Sequence, residues 1–467
     1  MIEETEENLE NYSKLTRYPQ GSVRELLAIS FPLMIALFSG NFMLFFDRLI
    51  LAHYELDAMN AAAAAGMISM IFSYGLLGIV SITEIFVRQF NGLKKYREAS
   101  ETVWQMIWVA FIIWPFYYVL AQHAGPYMLS DYFYDDYGLP YFQWILYFGP
   151  SQAIQFALCA FFIGTSRMRL VLLSTFVSNV CNVILDLALI FGIGDILDPM
   201  DTKGAAIATG ISETIQILFL LIPFLSKKYR DIYQTHLPTF NPQLLLKCFR
   251  MALPWAISSM VEISAWSLMM QLMVSLGSLH ATIVTIGLGF YSLIAFGMEG
   301  LQKGVTALSF NLIASKKWEE LNQMWWSAVK ILLAISSLVG ILLVIYPEPL
   351  IREFLTVVPE SDQPLLLDAI KTTCFFVWIY LVMEGLVWIS AGVLTAAGDT
   401  LFVMVTNAAL AWGFALIPIY FFVYQTQGPP THIWALLNVY AAIHAACFFY
   451  RYKSEMWQPN SLLMEYN

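Results

Sequence analysis

The chain has 467 residues, 59% hydrophobic and 12% charged, with a formal net charge of -10. A soluble domain carries about 25% charged residues and a disordered chain has little apolar content. A mean hydropathy of +0.65 over this length therefore excludes both, and the acidic balance removes the basic face that a nucleic-acid partner needs.

The opening stretch, Met1 to Gln20, is polar and acidic and shows no cleavable signal peptide. Beyond it the chain is a series of apolar runs, each near the roughly 20 residues that cross a bilayer as a helix. They fall at about 26–46, 58–86, 102–122, 139–163, 170–193, 204–225, 244–276, 281–313, 325–346, 365–397, 400–424 and 431–450. The runs are continuously apolar, whereas barrel strands alternate over about ten residues, so the expected fold is all-α with twelve transmembrane helices. The five cysteines, Cys159, Cys181, Cys248, Cys374 and Cys447, are scattered through these runs and make no disulfide or zinc pattern.

Orientation follows from lysine and arginine in the connections. With the amino terminus inside, 18 of the 24 fall on inner segments and four (Arg48, Lys203, Arg352, Lys371) on outer ones. Both termini are expected in the cytoplasm and the chain in the cytoplasmic (inner) membrane. The longest inner connection, about 226–243, carries Lys227, Lys228, Arg230, Pro238 and Pro242 and divides the spans six and six.

The two halves repeat. The shift that lays Pro32 on Pro254 also lays Gly75 on Gly297, Gly78 on Gly300, Glu98 on Glu320 and Lys94-Lys95 on Lys316-Lys317. Further along, a longer shift lays Gly164-Thr165-Ser166 on Gly398-Asp399-Thr400. Six spans per half with the same orientation imply parallel lobes related by a pseudo-two-fold along the membrane normal, with a substrate site near the midplane. The expected organisation is an acidic cytoplasmic tail over 1–25, an amino-terminal lobe over 26–225, a linker over 226–243, a carboxy-terminal lobe over 244–450 and a tail over 451–467. Pro32 and Pro254 each remove a backbone hydrogen bond early in a lobe and are hinge candidates.

A carboxylate in the bilayer costs about 2.5–3.5 kcal/mol on insertion scales, so each one is a functional candidate. Asn179, Asn182 and Asp186 stand on one face of span 5, a spacing able to hold a proton or a hydrated cation. Asp47 lies towards the end of span 1, beside Arg48. Glu262 has Ser258 and Trp266 one turn away on either side, and Glu384 has Tyr380 and Trp388 likewise. A desolvated carboxylate between aromatic faces suits an organic cation, through Coulomb attraction and cation–π contact. Glu84–Arg88 and Glu299–Lys303 are i,i+4 pairs that read as structural, Glu213 has no neighbour that identifies a role, and His444 reads as a packed histidine. No nucleotide-binding loop or catalytic triad is present, so an ion gradient has to supply the energy and no enzyme activity or cofactor is expected.

In this order the segments resemble the multidrug and toxic compound extrusion (MATE) family across about 24–450. The carriers are Leu26 to Pro32 leading into Phe46-Asp47-Arg48, Arg88-Gln89-Phe90-Asn91-Gly92, Ser178-Asn179 through Asn182 to Asp186-Leu187, and Ile190-Phe191-Gly192. Gly204-Ala205-Ala206 to Thr209, Leu253-Pro254 with Glu262, and Ala391-Gly392 to Ala397-Gly398-Asp399-Thr400 continue the series. The resemblance implies an antiporter that exports small organic cations against inward proton or sodium flow. It assigns Asp47, Asn182 and Asp186 to an amino-lobe ion site, which Asn179 and Thr209 extend, and Glu262 and Glu384 to a carboxy-lobe one. Glu262, Trp266, Tyr380, Glu384 and Trp388 then bind substrate. Sodium at the ion-coupling residues is the one metal considered, lipid and organic cations are the partners, and a monomer is expected. The chain departs from the family in having Glu84 and Arg88 at the end of span 2, and in lacking an arginine before the glycine of the 398–400 motif.

Other readings fit less well. A major-facilitator transporter would carry a Gly and an Asp-Arg with basic residues in the loop after span 2, where Arg88 to Glu98 stand. A membrane-embedded transferase needs clustered His/Asp motifs at a membrane surface. A lipid-linked precursor flippase of the same superfamily is the runner-up; it would show a basic cavity, where this chain places acids.

Overall fold

The computed structural model describes residues 16–129, 134–355, 363–454 and 456–457, and their side chains except at 36–42, 134–135, 293, 296, 353–355 and 363–365. The acidic run before residue 16 and most of the tail after Lys453 lie outside these. The long helices are α1 (Val23–Tyr54), α2 (Leu56–Gly92), α3 (Tyr96–His123), α4 (Leu139–Gly164), α5 (Met168–Phe191), α6 (Asp201–Phe224), α7 (Pro242–Ser275), α8 (Ser278–Ala314), α9 (Trp318–Gly340), α10 (Gln363–Ala396), α11 (Thr400–Leu410) and α12 (His432–Lys453). α9 runs on as a π turn to Ile345, and α11 runs on through π turns and a short helix to Tyr424. Among the described residues there is no strand. Among the described residues ten helices are long and apolar enough to cross a membrane, or eleven if α8, bent by 43° between Ser292 and Gly297, is one span.

Helix ends follow local chemistry. α7 begins with Pro242, which has no N–H to leave unsatisfied, while the Asn241 side chain accepts from Leu244 N at 3.1 Å. The preceding segment holds a short helix, Lys227–Tyr233, and is stitched to α3. Trp104 donates to Thr235 O at 3.0 Å, Gln105 to Thr239 O at 2.9 Å, and Asn241 N donates back to Gln105 at 2.8 Å.

The repeat is visible in backbone turns. Lys94 and Lys316 both adopt the left-handed conformation, at φ 58° and 56°. In the first turn Lys94 N bonds Asn91 O and Lys95 N bonds Phe90 O; in the second Lys316 N bonds Ile313 O and Lys317 N bonds Leu312 O. Every partner is displaced by the same shift that lays Pro32 on Pro254. A non-glycine side chain in this region is strained, so a turn kept with lysine at the same point twice marks a shared backbone design.

The later register needs correcting. Ser166, at φ 62°, has its equivalent in Gly398, at φ 84°. Ser166 N bonds Ile163 O and Arg167 N bonds Phe162 O, while Gly398 N bonds Thr395 O and Asp399 N bonds Leu394 O. Gly398 therefore falls on Ser166, and not on Gly164 as matching glycine letters suggests. The left-handed residue defines the turn, and Gly164 is not it: Gly164 stands in α4 with its missing Cβ against Val87.

By packing, the backbone divides into two compact units. One holds Phe46–Thr285 with Tyr424–Gln427; the other holds the chain through Phe45, Ile286–Val423, and the chain from Gly428 on. This partition differs from the six-and-six division read along the chain, because α7 packs along α2. A Cβ on Gly78 would stand 2.6 Å from the Ala256 Cα, so the two helices approach to backbone contact. The second unit repeats that approach: a Cβ on Gly300 would stand 2.6 Å from the Met34 Cα, bringing α8 onto α1. The two contacts are repeat mates, since the shift that lays Pro32 on Pro254 lays Gly78 on Gly300 and Met34 on Ala256.

Candidate functional site

In the 46–285 unit, α1 supplies Asp47 and α5 supplies Asn182 and Asp186 one turn apart. The Asn182 amide nitrogen, turned to the carboxylates, donates to Asp47 Oδ1 at 2.8 Å and to Asp186 Oδ2 at 3.3 Å. Asn182 and Asp186 are fully buried, and Asp186 Oδ1 has no partner among the described atoms. The two carboxyl groups lie within electrostatic reach of each other. Arg48, next in sequence, is buried with Nη1 unpartnered, beside Asp47 and Tyr141. Asn179 is buried on the same α5 face. Thr209 is not brought to the cluster by its hydroxyl, which donates to Ala205 O of its own helix at 3.1 Å.

Sequence reasoning left two members without a role. Tyr141 on α4 lies within electrostatic reach of Asp47, Arg48, Asp186 and Glu213. Glu213, one turn after Thr209, is buried and accepts from Gln152 of α4 at 2.9 Å. Gln216, a turn further, bonds Gln155 and donates to Thr175 of α5 at 3.0 Å. Asp47, Asp186, Tyr141, Glu213 and Gln216 thus form a polar seam within α1, α4, α5 and α6. Its members come from four helices, so no single spacing announces it; the matched spacing of Gln152 to Glu213 and Gln155 to Gln216 is the only trace in sequence.

In the other unit, Glu384 of α10 is buried and faces His444 of α12, with Nδ1 to Oε1 at 3.2 Å. His444 Nε2 lies 3.1 Å from Asn407 Oδ1 of α11. The imidazole is packed, as expected, against Tyr440 and Phe448, yet it is also the polar partner of the carboxylate. Tyr380 is buried with its ring against Tyr291 and Trp434. Trp388 packs on the apolar core of this unit rather than standing free beside Glu384. Glu262 and Trp266 are half-buried on α7, in the first unit, each engaged with neighbours. Pro32 and Pro254 lie inside α1 and α7 on exposed faces. Glu84–Arg88 and Glu299–Lys303 form ion pairs at 2.6 and 3.2 Å. Among the described residues, no group of three or more His, Cys, Asp or Glu side chains is placed to hold a metal ion.

The MatE family model matches the chain twice, over residues 32–188 and 254–421. The two matches begin at Pro32 and Pro254, the register of the Lys94 and Lys316 turns. A probable multidrug resistance protein NorM of Mesorhizobium japonicum is 23% identical over 411 residues, covering 84% of this chain and 85% of the relative. Among solved structures, the inward-facing conformation of a multidrug resistance MATE family transporter of the MOP superfamily superposes with a TM-score of 0.79 at 15% identity, covering 95% of this chain and 100% of that one. The outward-facing conformation of such a transporter gives 0.69 at 15% identity, over 96% and 97%. A MOP superfamily transporter from Pyrococcus furiosus, described as having a binding pocket of reverse polarity, gives 0.70 at 16% identity, over 95% and 98%. With both halves of an all-helical chain matched, this protein belongs to the MATE family of multidrug efflux transporters and is a multi-pass membrane transporter, not an enzyme.

Proposed function

We propose that the protein is a proton-coupled antiporter that exports small organic cations by alternating access. The observation that carries this reading is the Asp47–Asn182–Asp186 cluster, in which the half-buried Asp47 and the fully buried Asp186 share one amide donor. A pair of this kind has two charge states within a small change of geometry, as coupling requires: an ion drives transport only through a difference in its affinity for two conformations. Protonation of one carboxyl removes the repulsion between α1 and α5 at this point; deprotonation separates like charges. Asn179 stands on the same α5 face as the cluster, and sodium is the competing ion, since carboxylate and carboxamide oxygens are suitable hard ligands.

In this proposal Glu262, Trp266, Tyr380, Glu384 and Trp388 contact the exported cation, and Pro32 and Pro254 let α1 and α7 bend. The chain is arranged as two six-helix lobes, 26–225 and 244–450, with a linker at 226–243 and both termini in the cytoplasm. It works as a monomer in the cytoplasmic membrane and needs no cofactor. The test is export of a fluorescent cation in inverted membrane vesicles, with proton and sodium gradients imposed separately. Export driven by a pH gradient in wild type and lost in Asp186→Asn supports the reading. Export driven by sodium alone, or unchanged in the variant, refutes it. The lipid-linked precursor flippase is favoured by no observation in the structure, since the buried clusters of both units are acidic.

A further inference from the structure

The first turn of α9 and the last turn of α12 enclose a cavity to which the transport reading gives no role. It lies within one compact unit and holds about 310 Å³. Trp318, Glu319 and Asn322 line it from α9, Tyr452 and Lys453 from α12, and Trp457 from just beyond α12. The volume is at the lower end of the range of about 300–1,000 Å³ for ligand pockets, so it suits a small group. One wall is a column of rings. Trp457 lies parallel to Tyr452 with centroids 6.3 Å apart, Tyr452 lies parallel to Trp325 at 5.4 Å, and Trp318 meets Trp457 edge-on at 6.1 Å. Trp457 Nε1 donates to Tyr452 O at 2.9 Å, which fixes the indole at the end of the column.

Two opposite charges line the same cavity, and both are exposed. The Lys453 ammonium stands 5.5 Å over the Tyr452 ring and 3.5 Å from Asn322 Oδ1. Glu319 makes no ion pair among the described residues. The neighbouring cations are engaged elsewhere: Lys317 donates to Gln20 at 2.6 Å, and Arg451 pairs with Asp399 at 2.7 Å. Further along, both helices are exposed and apolar. On α9, Trp326 and Leu333 continue the face of Asn322; on α12, Phe449, Ala446 and Ala442 continue the face of Lys453. Trp325 joins these faces, its ring 5.0 Å from that of Trp326 and 5.5 Å from that of Phe449.

We propose that the cavity binds the headgroup of a zwitterionic phospholipid, with its phosphate on Lys453, its amine on Glu319 and its acyl chains along the exposed faces of α9 and α12. The cavity sits where the two helices end, the level at which headgroups lie and at which tryptophan and tyrosine concentrate. Its charges select among lipids. One cation and one anion match a headgroup that carries one of each, whereas an anionic headgroup would meet Glu319 with no charge of its own to offset it. The rings add to this, because an ammonium is attracted to the face of an indole or a phenol. A soluble molecule with the same phosphate and amine would fill the cavity and leave the apolar faces of both helices uncovered. Lipid binding here does not depend on which ion drives transport, so it stands or falls apart from the antiport reading.

Native mass spectrometry of the detergent-solubilised full-length protein, titrated with phosphatidylethanolamine or with phosphatidylglycerol of matched chains, tests this. Wild type should bind phosphatidylethanolamine about fivefold more tightly, the ratio that one charge at a membrane surface supplies. Lys453→Gln should weaken phosphatidylethanolamine binding by about fivefold. Glu319→Gln should reverse the preference in favour of phosphatidylglycerol, a change that general loss of structure does not produce. Both side chains are exposed, so both variants should fold. Glycerophosphoethanolamine, the same headgroup without chains, should not displace the bound lipid. Displacement by it at equal concentration would assign the cavity to a soluble ligand and overturn the proposal. Equal affinity of wild type for the two lipids, or a preference unchanged in either variant, would overturn it as well.

Discussion

The two compact units contain buried acids of different kinds. In the 46–285 unit, Asp47 and Asp186 share the amide of Asn182, and Glu213 continues the seam through Gln152. In the other, the acid is single and its partner is an imidazole, with the carboxamide of Asn407 one step removed. The first group is built from oxygens and can trade a proton for a hard cation. The second holds a ring nitrogen against its acid. Both lie on a repeated backbone that keeps the same left-handed lysine turn twice. Backbone register and side-chain chemistry have therefore diverged independently. The halves share turns and helix contacts, while the buried polar groups differ between them.

The largest expected effect comes from removing the acid of the first unit. Asp186→Asn keeps the size and hydrogen-bonding reach of the side chain and removes its charge. Concentrative export should fall by about 100-fold, the upper range of a lost coupling free energy of about 3 kcal/mol. Downhill movement of the same cation should persist, because substrate contacts are untouched. If export is unimpaired and keeps its pH dependence, the first unit does not carry the ion and the comparison collapses onto Glu384.

Next comes the histidine. His444→Gln removes the imidazole that faces Glu384 and should lower export about tenfold, a loss of about 1.4 kcal/mol, with any response to sodium as in wild type. Measured beside Asp186→Asn in the same vesicles, it sharpens the contrast between units. Equal sodium responses in the two variants would mean that both sites take the same ion.

The sequence makes the helices plain, because long apolar runs with few charges have no other economical fold in a bilayer. It is weaker on their ends, where helices outrun the hydrocarbon: α2 continues to Gly92, beyond the 86 expected from hydropathy. The repeat is legible because Lys94-Lys95 and Lys316-Lys317 sit in turns of the same geometry. The second register is misread because Ser166 fills a left-handed position that glycine fills at 398. Among site residues, Asn182 and Asp186 show themselves by one-turn spacing on one helix. The Glu384–His444–Asn407 contact does not, since it joins three helices with no fixed spacing to betray it.

The repeated helix contacts give a smaller effect, and an internal control. A Cβ at Gly78 would stand 2.6 Å from the Ala256 Cα, and one at Gly300 2.6 Å from the Met34 Cα. Those neighbours are backbone, which cannot step aside as a flexible side chain can. Gly78→Ala and Gly300→Ala should each cost about 1–3 kcal/mol, the usual range for overpacking, read as thermal stability in detergent. Similar losses would show that the two approaches are equivalent. A loss at one site only would show that one unit tolerates a helix shift that the other does not.

The smallest effect concerns a residue bonded to its own counterpart. Asn60 of α2 donates to the Thr282 hydroxyl of α8 at 2.8 Å, and the shift that lays Pro32 on Pro254 lays Asn60 on Thr282, so each is the repeat mate of the other. Each residue therefore stands beside its own counterpart in the repeat, inside the 46–285 unit. Both side chains are buried. Buried side-chain hydrogen bonds between membrane helices average about 0.6 kcal/mol, with a ceiling of about 1.7 kcal/mol, because the separated helices also find partners. A double-mutant cycle of Asn60→Ala and Thr282→Val, followed by thermal unfolding, should return a coupling in that range. Asn60→Ala alone should cost more than the coupling, since it also removes packing volume. A coupling indistinguishable from zero would mean that the bond is incidental, and that this contact is held by the alanine run Ala61–Ala65 beside it, which is wholly buried. A coupling above the ceiling would place the bond among the interactions that hold the conformation itself, and Asn60→Ala would then alter transport as well as stability.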